Sequence, residues 1–290
     1  MADSKKSDTV TFGHYCVALI DILGQREELQ KLKNLPSTED ERKEFIQLIK
    51  RTFGVIDGIR KLFESFYSGY STPTPIDPML KTNLKFQTFS DTIIIYLPLA
   101  TIRDHIPLNS IYAAVLACGA TFLDAMATGH PLRGGIEIGV GAEIYEGEIY
   151  GPALSDAYRL ESRVAQYPRI VVGNELISYL WAHKESKETD LRAKFASGMG
   201  QYCLDLLTQD FDGHPIVDYL GEGFMKRVDY LPLRDDTVTN AYQFVNKEAK
   251  KWRDLKNTEL ASRYALLRNY FRERLALWKD RLKVGEPHQL

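Results

Sequence analysis

The chain has 290 residues, 44% of them hydrophobic, with 26% charged side chains and a formal net charge of −2. That length and apolar fraction can fill one large core or two small ones. The balanced charge disfavours a general nucleic-acid binder, which carries a basic excess.

The N-terminal stretch MADSKKSD is polar and lacks the apolar segment of a signal peptide, and Met1 to Thr11 is expected to be a flexible tail. No uninterrupted apolar run approaches the ~20 residues that span a bilayer, so no membrane partner is expected. Three cysteines, Cys16, Cys118 and Cys203, form no CxxC pair and define no disulfide framework. Cys16 and Cys118 lie in apolar stretches and read as small buried hydrophobes. A soluble, cytoplasmic protein is the expectation.

Tyr15 to Leu23 is apolar except for Asp21 and fits a buried strand. Ser37-Thr38-Glu39-Asp40-Glu41 has the residues of a helix start. Phe45, Leu48, Ile49, Phe53, Ile56, Ile59, Phe63 and Phe66 then follow at three- and four-residue spacings, which predicts a long helix with one apolar face. Gly69 to Pro78 reads as a surface loop. Leu84 to Leu97 reads as two strands around Ser90-Asp91, with Gln87, Phe89 and Asp91 on one face. Ile111 to Ala127 predicts a second helix, Leu132 to Tyr150 a hairpin, Pro152 onward a short helix, and Arg169 to Val172 the start of a strand. Beyond Gly173 the signal weakens to a small hairpin near Asp212-Gly213 and a strongly helical Asn240 to Leu282. That last segment carries an apolar stripe at Leu260, Tyr264, Leu267, Phe271, Leu275, Trp278 and Leu282. The order β, α, β-β, α, β predicts an α+β domain of ferredoxin-like layout, with helices on one face of a mostly antiparallel sheet.

Two carboxylates at strand ends, Asp21 and Asp91, suit metal-assisted chemistry on a nucleoside triphosphate when a helix-borne arginine joins them. Ser155 and Arg159 stand one helical turn apart and can face one site. Each feature has an ordinary alternative: a strand-end or turn aspartate, and an arginine paired on the surface with Asp156 or Glu161. The six histidines show no ligand spacing.

The stretch GPALSDAYRLES, Gly151 to Ser162, taken with Asp21 and Asp91 upstream, resembles the catalytic domain of class III nucleotidyl cyclases, whose helix reads G-D-A-V-N-x-A-A-R-L-E-S. The resemblance covers about Tyr15 to Val172. It implies a cyclase domain over residues 12–200, and residues 201–290 as a C-terminal hairpin and long helix packing on the domain or a dimer. It also implies two divalent cations, Mn²⁺ or Mg²⁺, bound by Asp21, Asp91 and the backbone carbonyl of Ile22. Arg159 would stabilise the transition state and Ser155 would orient the ribose. The site would be shared between the subunits of a homodimer.

Gln87, Phe89, Leu19 and Glu148 fall at base-pocket positions, and Arg26, with Arg133 as a further candidate, could serve the triphosphate. The family helix carries Asn where Ser155 stands, and purine-selective members place Lys or Glu at Gln87 and many place Asp at Glu148. A pocket that is neither adenine- nor guanine-type is similar to the pyrimidine cyclases of the bacterial anti-phage Pycsar system. The implied activity is conversion of UTP or CTP to a 3′,5′-cyclic nucleotide and pyrophosphate. A purine cyclase and a degenerate nucleotide-sensing dimerisation module are the alternatives.

Overall fold

The computed structural model describes residues 11–25, 30–31, 34–69, 82–99, 108–187 and 190–281. Residues 1–10 of the expected tail, Arg26, residues 70–78 of the expected loop and Leu282 lie outside them; Thr11 itself opens the first strand. Eight strands form one sheet: β1 Thr11–Ile22, β2 Lys85–Phe89, β3 Thr92–Pro98, β4 Leu132–Tyr145, β5 Glu148–Tyr150, β6 Ile170–Val172, β7 Leu207–Gln209 and β8 Pro215–Val217. Their order is β2-β3-β1-β4-β6-β8-β7, with β5 paired to β4. β1 runs antiparallel to both β3 and β4, and among the described residues only β4 and β6 pair in parallel.

The helices joining these strands are α1 (Glu39–Gly69) between β1 and β2, and α2 (Leu108–Ala127) between β3 and β4. Each helix therefore joins two strands that flank a third, the split β-α-β arrangement. The expected mostly antiparallel α+β architecture is present.

β1 explains why its sequence is apolar at nearly every position. Cys16, Ala18, Ile20 and Ile22 enter the main core beneath the helices. Tyr15, Val17 and Leu19 point to the opposite face, where they join Ile94, Tyr96, Ile149, Ala153 and Ala157 in a second, smaller core. A strand covered on both faces loses polar alternation. Both faces matter here, because the smaller core is roofed by α3 (Pro152–Arg159), the helix that carries Ser155 and Arg159.

α1 begins at the predicted place. The backbone N–H groups of Ser37 and Thr38 donate to Glu41 Oε2 at 2.7 and 3.1 Å, and Glu41 N–H donates to Thr38 Oγ1 at 3.3 Å, a reciprocal cap. Its apolar face is buried only in the second half, at Ile59, Phe63 and Phe66. Ile49 and Phe53, expected inside, are exposed, because the first half of this 31-residue helix runs past the elements that cover the rest.

α2 is buried on nearly every side. By length and composition it is apolar enough to cross a membrane, contrary to the reading of its sequence, but 89% of its most apolar window is buried within the protein. Asn109, Ser110, Gly119 and Asp124 interrupt its apolar run, so the run read as too short.

Two helices that the sequence did not reveal follow β6: α4 (Asn174–Lys184) and α5 (Leu191–Leu204). The small hairpin is present as β7 and β8, and a single turn, α6 (Glu222–Met225), comes after it. The expected long C-terminal helix is two helices, α7 (Thr237–Asp254) and α8 (Thr258–Arg274). Lys256 breaks them with a left-handed φ of 54°, and the Asn257 side chain caps α8 by accepting from Leu260 N–H at 3.0 Å.

The stripe on α8 packs within its own chain. Leu267, Phe271 and Trp278 belong to the same core as β1, and Trp278 Nε1–H donates to the Leu220 carbonyl at 2.8 Å. The region after residue 200 therefore shares one continuous core with the sheet.

Candidate active site

The two aspartates meet where β1 ends. Asp21 is the penultimate residue of β1, and Asp91 lies in the Ser90-Asp91 turn between β2 and β3. Ile22 N–H donates to the Asp91 carbonyl at 3.3 Å, which ties the turn to the strand end. Ser90 holds φ 57°, an uncommon conformation for a residue other than glycine. The third carboxylate is Glu161. It follows α3 in a single π turn, Leu160–Val164, closed by Ala165 N–H donating to the Leu160 carbonyl at 2.8 Å.

Among the described residues one guanidinium serves this acidic cluster. Arg133 Nε donates to Glu161 Oε1 at 2.6 Å, and Arg133 Nη2 reaches Asp21 Oδ2 at 3.3 Å. Arg133 is thus engaged by the carboxylates of the cluster. Burial, then the Glu161 charge, push the Asp21 carboxyl up to about 6, against the opposing pull of Arg133. Burial also raises Glu161, partly offset by Arg133.

Among the described residues, no three His, Cys, Asp or Glu side chains converge tightly enough to hold a metal ion. Two carboxylates still suit Mg²⁺ or Mn²⁺ at a phosphate-transfer site, where waters and substrate phosphates complete the shell. Burial raises Asp21 most and the Glu161 and Asp91 charges add to it, and a bound dication offsets those charges, so the donor set fits such an ion.

Beside the aspartates lies a groove of about 750 Å³. Its floor is Leu19 and Ile94, one wall is Gln87 and Phe89 of β2, and the other is Tyr150, Pro152 and Ser155. The volume suits a small-molecule ligand. Leu19, Gln87, Phe89 and Ser155 are thereby brought together as the sequence predicted. Phe89 is 75% exposed, which removes a core role for its ring. Glu148 does not line the groove and stands exposed at the start of β5.

The sequence reading missed Thr92, Tyr150, Pro152 and Tyr158, which also line the groove. The Thr92 side chain hydrogen-bonds the Asp21 carboxylate and so links groove to acid cluster. Thr92 pairs directly with Asp21 across β1 and β3, a register that only the fold shows.

α3 sits close to the sheet because β4 has glycines beneath it. A methyl added at Gly135 would lie 2.5 Å from the Ala157 carbonyl oxygen and 2.6 Å from Leu160 Cβ. At Gly139 it would lie 3.2 Å from the Ala153 backbone. Gly135→Ala is expected to lift α3 and to lower stability by roughly 1–3 kcal/mol, the usual cost of overpacking. A thermal melt would register several degrees of loss; an unchanged melting temperature would show that α3 is free to shift.

On α3, Ala153 and Ala157 face inward, while Ser155 faces the groove. Among the described residues Arg159 pairs only with Asp156 of its own helix, at 3.5 Å, and its side chain is 55% exposed. The ordinary alternative with Asp156 is therefore the arrangement in a single chain, whereas Glu161 is taken by Arg133. Arg159 and Glu161 are two residues apart, and positions so spaced do not share a helix face. Glu161 is engaged on the Asp21 side through Arg133, and among the described residues Arg159 makes no ion pair or hydrogen bond with Asp21 or Asp91. No family model matches this sequence, and no curated protein does.

Proposed function

We propose that this chain is a metal-dependent nucleotidyl cyclase of the cytoplasm, acting on a pyrimidine nucleoside triphosphate to supply a 3′,5′-cyclic nucleotide for anti-phage defence signalling. The single observation that carries the reading is the juxtaposition of the Asp21–Asp91 pair with the groove that gathers Leu19, Gln87, Phe89 and Ser155. In the reaction the ribose 3′-oxygen loses its proton and bonds to the α-phosphorus, the bond to the β-phosphate oxygen breaks, and pyrophosphate leaves. Asp21 and Asp91, with the Ile22 carbonyl, would hold two Mn²⁺ or Mg²⁺ ions, which when bound lower the proton affinity of the 3′-oxygen and offset charge on the phosphates. Ser155 positions the ribose. Arg159 stabilises charge on the phosphoryl group, a contribution of several kcal/mol in a preorganised site.

The specific fold within the α+β class is read as the class III cyclase domain, working as a homodimer with composite sites. Two features support the dimer. Arg159 is half exposed and among the described residues pairs with Asp156 alone, and the groove is rimmed by the exposed rings of Phe89, Tyr150 and Tyr158. Contiguous exposed apolar surface of this kind marks an association site.

Incubation of the protein with each of ATP, GTP, CTP and UTP and Mn²⁺ is expected to yield a cyclic nucleotide and pyrophosphate from a pyrimidine substrate. Product from ATP or GTP alone would make it a purine cyclase. A second reading, a nucleotide-sensing dimerisation module, is favoured by the contact of Arg133 with Asp21, which occupies one of the metal-binding carboxylates. Calorimetric binding of a triphosphate with no product from any of the four would establish that reading over the first.

A further inference from the structure

Asp21 stands between two polar neighbours in the sheet. Thr92 of β3 pairs with it on one side and Arg133 of β4 on the other. Thr92 hydrogen-bonds the Asp21 carboxylate, and Arg133 Nη2 reaches Oδ2 at 3.3 Å. The guanidinium is held more closely by Glu161: its Nε donates to Glu161 Oε1 at 2.6 Å, and its Nη2 contacts the same oxygen. The Glu161 side chain is only 4% exposed, and among the described residues Arg133 is its one ion-pair partner. Stripping a buried carboxylate of its cation is strongly unfavourable, so the guanidinium stays with Glu161 whatever Asp21 binds.

Glu161 is itself fixed. The single π turn Leu160–Val164 carries it, and that turn rests on β4, where a methyl added at Gly135 would meet Leu160 Cβ at 2.6 Å and the Glu161 nitrogen at 2.8 Å. One-turn π segments recur at functional sites. From this arrangement we infer that Arg133, held in place by Glu161, is a positioning residue for Asp21, and that the balance of these two buried charges sets the affinity of the site for a divalent cation. The inference rests on the reading of Asp21 and Asp91 as metal ligands and deepens it. The guanidinium lies one carboxylate away from any ion that Asp21 holds, and its positive charge opposes that ion. The negative charge of Glu161 lies behind the guanidinium and offsets the opposition.

The two charges differ in sign, so removing them one at a time should move the affinity in opposite directions. Arg133→Gln keeps an amide that can hydrogen-bond both acids but removes the cation, and Mn²⁺ is expected to bind about tenfold tighter. Glu161→Gln leaves the guanidinium to Asp21 alone, and Mn²⁺ is expected to bind about tenfold more weakly. The double substitution removes one charge of each sign, and Arg133→Lys keeps the cation. Both are expected to stay within about threefold of the wild type. Affinity is read on the protein alone at pH 7.5, with no nucleotide, from the loss of the free Mn²⁺ paramagnetic resonance signal. A thermal melt of each variant shows that it is folded. Damage to folding weakens binding in every variant and cannot produce shifts of opposite sign.

Any pattern other than opposite shifts in the two single variants would overturn the inference while leaving the metal ligands in place. Opposite shifts with no cyclic product from any triphosphate would uphold the charge balance and overturn the cyclase. No Mn²⁺ binding by the wild type or by any variant would overturn both the inference and the metal reading on which it rests.

Discussion

Asp21→Asn is expected to abolish turnover and, in the same protein, to raise the melting temperature. Folding holds the Asp21 carboxyl at about 6, up from 3.8, through burial and the nearby Glu161 charge. A folded-state value raised above the unfolded one means that ionised Asp21 opposes folding. The opposition is absent below about pH 4, grows as the pH rises towards 6, and is constant above that. Two units correspond to roughly 2–3 kcal/mol. Asparagine removes the charge but keeps an oxygen that can accept from Arg133 and Thr92, so the gain should appear as several degrees near pH 7.5 and shrink towards pH 4.5. Losing a metal carboxylate should cost at least about 10³-fold in rate. Mn²⁺ should raise the melting temperature of the wild type near pH 7.5 and leave that of Asp21→Asn unchanged. A variant that melts lower than the wild type would refute the electrostatic origin of the effect, and one that retains full turnover would refute the metal assignment.

The same residue shows how far the sequence could be read. β1 was legible because nine residues of nearly unbroken apolar character, interrupted by one acid, are too short for a buried helix and suit a strand covered on both faces. The cap of α1 was legible because a reciprocal cap is a local device, complete within five residues. The Arg133–Glu161 pair was not, since 28 residues separate its members and nothing in either neighbourhood announces the other. Periodicity told which residues of α1 share a face, but not that Phe53 on that face would stand exposed. The apolar residues of α4 and α5 form no clear stripe, and the Asp190 cap alone did not reveal α5. Along Asn240–Leu282 helical composition was evident, yet the break at Lys256 was hidden, because lysine is an ordinary helix former and only its left-handed φ gives the corner away. The groove was half legible. The residues placed by the motif were found, and those contributed by β5 and the outer face of α3 were not, because their role depends on which strand edge they reach.

Mixing Asp91→Ala chains with Arg159→Ala chains is expected to restore turnover that neither possesses alone. Glu161, in the π turn after α3, is joined to Asp21 through Arg133, while Arg159, two residues earlier, is half exposed and among the described residues is held by Asp156 alone. A guanidinium so exposed is available to a second chain, and α3, which carries it, packs closely on the sheet at Gly135 and Gly139. In a two-fold dimer each site would take aspartates from one chain and the arginine from the other. A mixed dimer of the two variants then carries one intact site and one doubly damaged site. If subunits exchange freely, half the dimers are mixed, and the recovered rate should approach about a quarter of the wild-type rate per chain. Arg159→Ala alone should lower kcat far more than it weakens triphosphate binding, because the interaction it removes belongs to the transition state. Subunit exchange can be followed independently by labelling one partner. No recovery in a mixture whose exchange has been demonstrated would place Arg159 and the aspartates in the same chain's site, and the single-chain geometry around Glu161 would then have to open for catalysis.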